Sequence, residues 1–304
     1  MTIDLNRINV RIDAAANPEG QWWTRATEGE QDEYLQDHPH SRKKKTANDN
    51  DGGEDVKTLA APSDFRSYQA KKQSPEMQEA TSKKWNATLG MPVAEFRRTL
   101  FPDHPKARIS AKVSDGKLCV LVEDAAFWAR REFWRDKNGD LRVEHEHFEV
   151  KSAKQGKGLA KKMLRQQFNV YQNMGVKKVS MYANIDVGSY AWAKYGFVPD
   201  VGEWDFLKLK AKQRLQKGLR FTFNSDEDRQ VATKQVTPLL ASKDPKTIWE
   251  LSDLTMEVNY GKDKPKKMTL GKALLMDNGW QGAFQFSDND SIKRFNDYTR
   301  GVNK

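Results

Sequence analysis

One short segment of this 304-residue chain has the residue types of an anion site. An apolar strand end leads through a glycine-containing loop into a helix. Its members are Gln155, Gly156, Lys157, Gly158, Leu159 and Ala160, surrounded by Lys151, Lys154, Lys161 and Lys162. The first turn of a helix has unpaired N–H groups and the positive end of the helix dipole, and glycines let a ligand approach the backbone closely. The segment therefore suits a pyrophosphate. The alternative is a tight strand-to-helix turn with a solvated basic face.

Titratable side chains alternate along the strand that leads into this loop. Strand periodicity places one set of four on one face and a second set on the other. The first set is Leu141, Val143, His145 and His147, and the second is Arg142, Glu144, Glu146 and Phe148. Carboxylates and imidazoles are the usual proton acceptors in general base catalysis. Exposed cross-strand charges are the alternative interpretation of both glutamates and both histidines.

Hydrophobic periodicity predicts the elements that hold this segment. Residues 109–122 alternate and turn at Ser114–Asp115–Gly116, which indicates a β-hairpin, and Asn138–Gly139 predicts a second one between residues 127–135 and 141–150. The apolar period then becomes helical up to Gly175. A strand at 176–182 and a short helix at 190–195 follow, which completes a β-α-β arrangement.

The segment 155–160 resembles the acyl-CoA signature of the GNAT superfamily of N-acetyltransferases, Gln/Arg-x-x-Gly-x-Gly/Ala at a helix start. Gln155, Gly158 and Ala160 fill its defined positions. Val150 falls where the family has an apolar residue that ends its central strand. Downstream, residues 190–199 resemble the short family helix that ends in Gly-Phe. The resemblance covers residues 107–200, about a third of the chain.

The resemblance implies a mixed α+β (or α/β) fold, with a mostly antiparallel central sheet flanked by helices. It implies acetyl transfer from acetyl-CoA to an amine acceptor, which the sequence does not identify. The backbone of Phe148 to Val150 would hold the pantetheine arm like an added strand. The N–H groups of residues 155–160 would bind the pyrophosphate, and a splayed gap beside the strand end would let acyl carbon and amine meet.

The resemblance also suggests catalytic residues. Glu144 matches the place of a glutamate base used by some members, and Glu146 lies two residues later on the same face. Many members have a tyrosine proton donor where this sequence has Trp192, and tryptophan cannot protonate a thiolate. Tyr195 and Tyr190 lie on the same short helix but out of register. Either another donor or water serves, or the fold is kept without efficient transfer.

The sequence divides the chain into five parts. We expect a flexible N-terminal arm (1–60), a helical lead-in (61–106), the GNAT-like core (107–200), a helical insertion (201–267), and a last strand with a C-terminal tail (268–304). The lead-in helix is expected to start at Pro75. Gly261 to Lys267 reads as a basic loop, and residues 280–286 as the strand that returns to the sheet. A separate C-terminal helical domain is the alternative.

Charge and composition limit the partners. The net charge is +10, but residues 1–60 carry 8 Lys/Arg against 12 Asp/Glu, so the rest of the chain is strongly basic. A basic surface favours polyanions, and nucleic acid is a third function class that rests on charge alone. No apolar run is long enough for a membrane span or a signal peptide, so we expect an intracellular protein. The single cysteine, Cys119, reads as a buried strand thiol.

The N-terminal arm carries a weaker resemblance. Residues 31–43 look like a short Tyr-Leu…His-Pro-x-Ser-Lys/Arg element of tailed-bacteriophage structural and accessory proteins. This implies docking to a virion or host-protein partner, and a protein carried in a virion. A plain amphipathic anchor is the alternative. His38 and His40 lack a third spaced ligand, so we assign no metal.

Overall fold

Twelve strands and nine α-helices form in the described part of the chain, which in this computed structural model is residues 60–65, 67–68, 71–183, 188–218, 220–261 and 265–300. The strands are β1 (Ser67–Tyr68), β2 (Lys71–Lys72), β3 (Arg108–Ser114), β4 (Lys117–Glu123), β5 (Phe127–Arg135), β6 (Leu141–Val150), β7 (Lys178–Ala183), β8 (Val198–Pro199), β9 (Phe221–Thr222), β10 (Glu257–Tyr260), β11 (Lys266–Thr269) and β12 (Trp280–Gln285). The helices are α1 (Pro75–Leu89), α2 (Val93–Leu100), α3 (Leu159–Asn173), α4 (Gly188–Lys194), α5 (Val201–Lys217), α6 (Asp226–Ala241), α7 (Ile248–Ser252), α8 (Leu270–Leu275) and α9 (Asn289–Arg300).

A seven-stranded sheet organises the fold, with strand order β3-β4-β5-β6-β7-β12-β8. Its neighbouring strands are antiparallel except for β6 and β7, which are parallel and joined through α3. Two smaller sheets, β1-β2 and β11-β10-β9, lie outside it. The prediction of a mixed fold with a mostly antiparallel sheet flanked by helices is confirmed.

Alternation along β4 separates the two faces of this sheet. Leu118, Val120 and Val122 are fully buried in the main core, while Cys119 and Leu121 belong to a separate small cluster on the other face. Cys119 is buried as predicted. We refer to the face of Leu118, Val120 and Val122 as the core face.

Aromatic rings attach the helices to the core face. Phe96 of α2 contacts Phe133 of β5 with ring centroids 5.8 Å apart. Phe168 of α3 lies 4.9 Å from Phe284 of β12 and stacks on Phe295 of α9 at 4.4 Å. The contacts of Phe168 hold α3 against β12 and α9.

The predicted helix start is confirmed. Helix α1 begins at Pro75, whose fixed φ suits the first helical position and whose missing N–H has no partner to lose there. The Ser74 hydroxyl accepts a hydrogen bond from the Met77 N–H at 3.3 Å and caps the helix.

The chain between β8 and β12 contains helices α5 to α8, and β12 then returns to the large sheet, between β7 and β8. The predicted helical insertion before the last strand is confirmed. The prediction of a basic loop through Lys267 is wrong, because Lys266 and Lys267 lie in β11, paired with β10. β11 is an edge strand with exposed lysines, so it lacks the apolar alternation that would have revealed it.

No helix in the described ranges combines the length and apolar composition needed to cross a membrane.

Candidate functional site

A gap opens between the two parallel strands of the large sheet. β6 and β7 pair from Arg142–Lys178 to His145–Met181. Beyond that point β6 continues to Val150 and β7 to Ala183, and the described residues show no further pairing between them. His145 and Met181 therefore mark the apex of a gap whose one wall is the second half of β6.

The backbone of β6 presents hydrogen-bonding groups to this gap. The Lys151 N–H donates to the carbonyl of Ala126 at 2.9 Å. Ala126 directly precedes β5 and is opposite Lys151, so this bond points away from the gap. Hydrogen-bonded and non-hydrogen-bonded residue pairs alternate along an antiparallel pair of strands. The N–H and carbonyl groups of Val150 and Phe148 therefore point away from β5 and toward the gap. Gln155 Nε2 donates to the Val150 carbonyl at 2.9 Å. The wall is thus a short free strand edge, closed at its end by the loop.

A β-bulge shapes the middle of this wall. Arg131 is opposite His145, whereas Arg130 is opposite His147, so Glu146 is an extra residue on β6. A bulge leaves the extra residue unpaired and redirects the side chains beside it.

The bulge overturns one prediction about faces. His147 does not share the face of His145, because it stacks on Trp128 with centroids 3.7 Å apart on the opposite face. Phe148 instead packs into the main core, 6.4 Å from Phe127. One inserted residue moves every later side chain of a strand to the other face, which strict alternation did not anticipate.

The loop after β6 exposes a series of backbone donors. Gly156 and Gly158 have φ angles of 72° and 76°, a left-handed conformation that favours glycine. The first bond into α3 joins the Lys162 N–H to the Gly158 carbonyl at 3.0 Å. No acceptor is found in the described residues for the N–H groups of residues 156–161. The loop therefore directs unpaired donors outward, as the sequence predicts for an anion site.

The surrounding lysines differ in their availability. Lys162 is bound to Asp103 at 3.0 Å, and Lys151 lies 3.7 Å from Glu149. Lys161 places its ammonium 3.7 Å from the centre of the Tyr298 ring. Lys154 and Lys157 are exposed and have no carboxylate partner in the described part of the chain. These two remain available for a phosphate.

The two candidate bases have different surroundings. Glu144 is engaged by Lys117, whose ammonium lies 3.0 Å from it and 2.8 Å from Glu132. Glu146, at the bulge, is mostly buried and paired with Arg130. Burial raises the pKa of Glu146 to about 7 against the opposing effect of Arg130, with a further contribution from nearby Glu132 and Glu144. A carboxyl with a pKa near neutrality suits a general base, and it lies beside the gap.

The structure does not bring Tyr195 to the gap. Tyr195 is 6% exposed and contacts Phe295 and Tyr298 of α9. Burial, with a smaller contribution from Tyr298, raises its pKa. Trp192 stands at the position of the family's tyrosine. Its ring centroid lies 5.8 Å from that of His145, at the apex of the gap.

Two polar residues near the gap, Arg131 and Tyr171, were not identified as functional from the sequence, whereas His145 was a candidate base. Arg131, His145 and Tyr171 form a buried cluster behind β6, exposed by only 1%, 2% and 1%. A signal for Arg131 existed, since strand alternation with Phe127 and Phe133 places it on the core face. Tyr171 belonged to the apolar stripe of α3 and looked like an ordinary core residue.

The predicted phage-like element, with His38 and His40, and residues 1–59 of the predicted N-terminal arm lie outside the described residues. Ala60, at the predicted boundary of the arm, is buried in the main core. Comparison of the chain with protein-family models, with curated proteins and with solved structures finds no match.

Proposed function

We propose that this chain is a GNAT-like N-acetyltransferase that moves an acetyl group from acetyl-CoA to an amine. One observation carries the proposal: a gap between parallel strands ends directly at a loop of unpaired N–H donors. Acetyl-CoA has an extended pantetheine arm with a pyrophosphate at one end, and these two parts match the gap and the loop. It needs a strand edge for its amides and a cluster of donors for its phosphates.

Each part of the site has a role in this proposal. The N–H groups of Phe148 and Val150 and the carbonyl of Phe148 pair with the pantetheine amides. The N–H groups of residues 156–161 and the ammonium groups of Lys154 and Lys157 hold the pyrophosphate. The Gln155 side chain fixes the end of β6 through the Val150 carbonyl. The residues present therefore fit the donor substrate in shape and in charge.

Glu146 is the proposed general base. An amine attacks a thioester only when it is uncharged, so its ammonium form must first lose a proton. Glu146 accepts that proton on the face of the sheet opposite the core, where Arg130 and Glu132 also point. The acceptor would then enter from that face. Glu144 remains the second candidate base, with Lys117 as its present partner.

A transfer assay tests this assignment. CoA release from acetyl-CoA is measured with a panel of amines for wild type, Glu146→Gln and Glu144→Gln. We expect Glu146→Gln to lower kcat about a hundredfold, with little change in the KM for acetyl-CoA. The control is Glu257→Gln, which removes an ion-paired strand glutamate from the small sheet. An equal or larger loss in Glu144→Gln than in Glu146→Gln would assign the base to Glu144 instead.

A second candidate is a virion-associated structural or ejected protein with a GNAT-like fold and little catalysis. Trp192 at the donor position and the burial of Tyr195 favour it. If the chain binds acetyl-CoA but converts none of it to CoA with any amine in the panel, this candidate is supported over the enzyme.

A further inference from the structure

A buried polar group sits directly behind the apex of the gap. The Nε2 atom of His145 lies 3.2 Å from the Tyr171 hydroxyl. The His145 ring is held between Phe168, Tyr171 and Trp192, at centroid distances of 6.1, 5.7 and 5.8 Å. Its other ring nitrogen, Nδ1, is buried and has no hydrogen-bond partner in the described structure. A buried ring nitrogen without a partner is costly, which points to a ligand atom that completes it.

Arg131 sets the direction of the hydrogen bond between His145 and Tyr171. Its guanidinium is fully buried, donates from Nη1 to the His147 carbonyl at 2.6 Å, and lies close enough to Tyr171 to affect it electrostatically. A nearby cation attracts the lone pairs of the phenol oxygen, so the phenol hydrogen turns toward His145. When Tyr171 donates to Nε2, the neutral imidazole carries its own hydrogen on Nδ1.

The charge state of the imidazole agrees with this arrangement. Burial, with a smaller contribution from Arg131, holds the pKa of His145 well below its ordinary value, so the ring is neutral at pH 7. Burial raises the pKa of Tyr171 to about 12, and Arg131 opposes that rise. The cluster therefore holds two neutral donors in series beside one fixed cation.

The position of Nδ1 connects the cluster to the gap. His145 is the last residue of β6 that pairs with β7, so its side chain leaves the backbone at the apex. Nδ1 is bonded to the carbon next to Cβ and is the ring nitrogen nearer the backbone. Trp192 is in contact with the same ring, but its indole N–H is too weak an acid to protonate a thiolate.

We propose that His145 and Tyr171 form the proton relay that protonates the leaving thiolate, with Arg131 as the positioning residue. This inference rests on the proposed acetyl transfer. His145 gives its Nδ1 hydrogen to the sulfur and takes the Tyr171 hydroxyl hydrogen on Nε2. Arg131 stabilises the phenolate that remains. After the thiol product leaves, water in the gap gives a proton to Nδ1 and the Nε2 hydrogen returns to the Tyr171 oxygen, so the relay returns to its starting state. The hydroxide left behind is neutralised by the proton that the base took from the amine.

Tyr171→Phe tests the relay with minimal change of shape. The matched control is Tyr260→Phe, which also removes a hydroxyl hydrogen bond, to Asp277, in a distant part of the chain. Three quantities are measured: CoA affinity by calorimetry, the pKa of the bound CoA thiol by ultraviolet absorbance of the thiolate, and kcat. Thermal unfolding confirms that each variant folds, and His145→Gln is the second variant should Tyr171→Phe not fold.

We expect Tyr171→Phe to keep the CoA affinity of wild type within about threefold, because the hydroxyl lies behind the wall and not in it. We expect kcat to fall about a hundredfold and the pKa of the bound thiol to rise by about one pH unit, since the imidazole loses the hydrogen bond that keeps its own hydrogen on Nδ1, toward the thiolate. Tyr260→Phe is expected to change none of the three quantities.

The outcomes separate the relay from the proposed function. CoA binding with an unchanged thiol pKa and unchanged kcat in Tyr171→Phe would overturn the relay and leave acetyl transfer standing. The thiol pKa is measured without turnover, so it decides the relay even if no acceptor in the panel reacts. Absence of CoA binding to wild type would overturn both.

Discussion

The raised pKa of Glu146 predicts how Glu146→Gln changes the stability of the fold with pH, and this can be measured without a substrate. The folded chain raises the pKa of Glu146 from its ordinary 4.5 to about 7. Between those values the folded state binds one more proton than the unfolded state, so this carboxyl makes stability fall as pH rises. At 1.36 kcal/mol per pKa unit, the loss between pH 5 and pH 8 is about 2.5 kcal/mol. Glutamine does not titrate, so the variant is expected to lack this loss.

Urea unfolding of wild type and Glu146→Gln at both pH values measures the effect. The pH-dependent part of the Arg130 contact is already contained in the pKa of Glu146, and the rest of its loss shifts the stability equally at both pH values. We therefore expect the variant, relative to wild type, to be more stable at pH 8 than at pH 5 by about 2 to 3 kcal/mol.

Asp253→Asn provides a control whose pH dependence lies below the measured range. Arg294 and Lys194 lower the pKa of Asp253 although burial opposes them, so this carboxylate stabilises the fold once it is ionised. The destabilisation by Asp253→Asn is expected to grow as pH rises toward the ordinary Asp pKa of 3.8 and to be the same at pH 5 and pH 8. The same relative stability of Glu146→Gln at pH 5 and pH 8 would refute a neutral-range carboxyl at the bulge, and with it the reason for choosing Glu146 as base.

Three further outcomes are expected. Gly158→Ala places a side chain at a φ of 76° and should lower the free energy of unfolding by roughly 1 kcal/mol while weakening CoA binding. Its control is Gly139→Ala, at a φ of 79° in a distant turn, which should lower the free energy of unfolding equally without affecting CoA binding. Phe168→Ala should lower the free energy of unfolding by about 3 to 5 kcal/mol in urea titration, and a loss below 1 kcal/mol would contradict its central packing. Cys119 should react slowly with a thiol reagent until the chain unfolds, because burial, aided by Glu132, raises its pKa to about 12; fast reaction of the folded protein would contradict this.

Local sequence signals were sufficient for most of the central sheet. The turns at 114–116 and 138–139 defined the two hairpins, and the change from strand to helical period located α3. The small sheet β11-β10-β9 escaped prediction because its strands are short and one of them is an exposed, lysine-rich edge. Such strands are determined by tertiary neighbours and not by their own apolar pattern.

The site was predictable in its backbone and less so in its side chains. Gly156 and Gly158 indicated the loop between strand and helix, and both have the left-handed φ angles that favour glycine. The bulge at Glu146 has no signature in sequence, so the faces of His147 and Phe148 were predicted wrongly. The depressed pKa of His145 and the raised pKa of Glu146 arise from burial and from charges on other strands, which no single segment reveals.

The most direct test of the account is titration calorimetry of acetyl-CoA and of CoA into the purified chain, with Gly158→Glu beside wild type. The account predicts micromolar affinity for wild type and at least a hundredfold loss in the variant, because a carboxylate would enter the pyrophosphate site. Thermal unfolding shows whether the variant is folded. No heat of binding to wild type at millimolar ligand, or equal affinity in both proteins, would contradict a CoA site at the loop and gap.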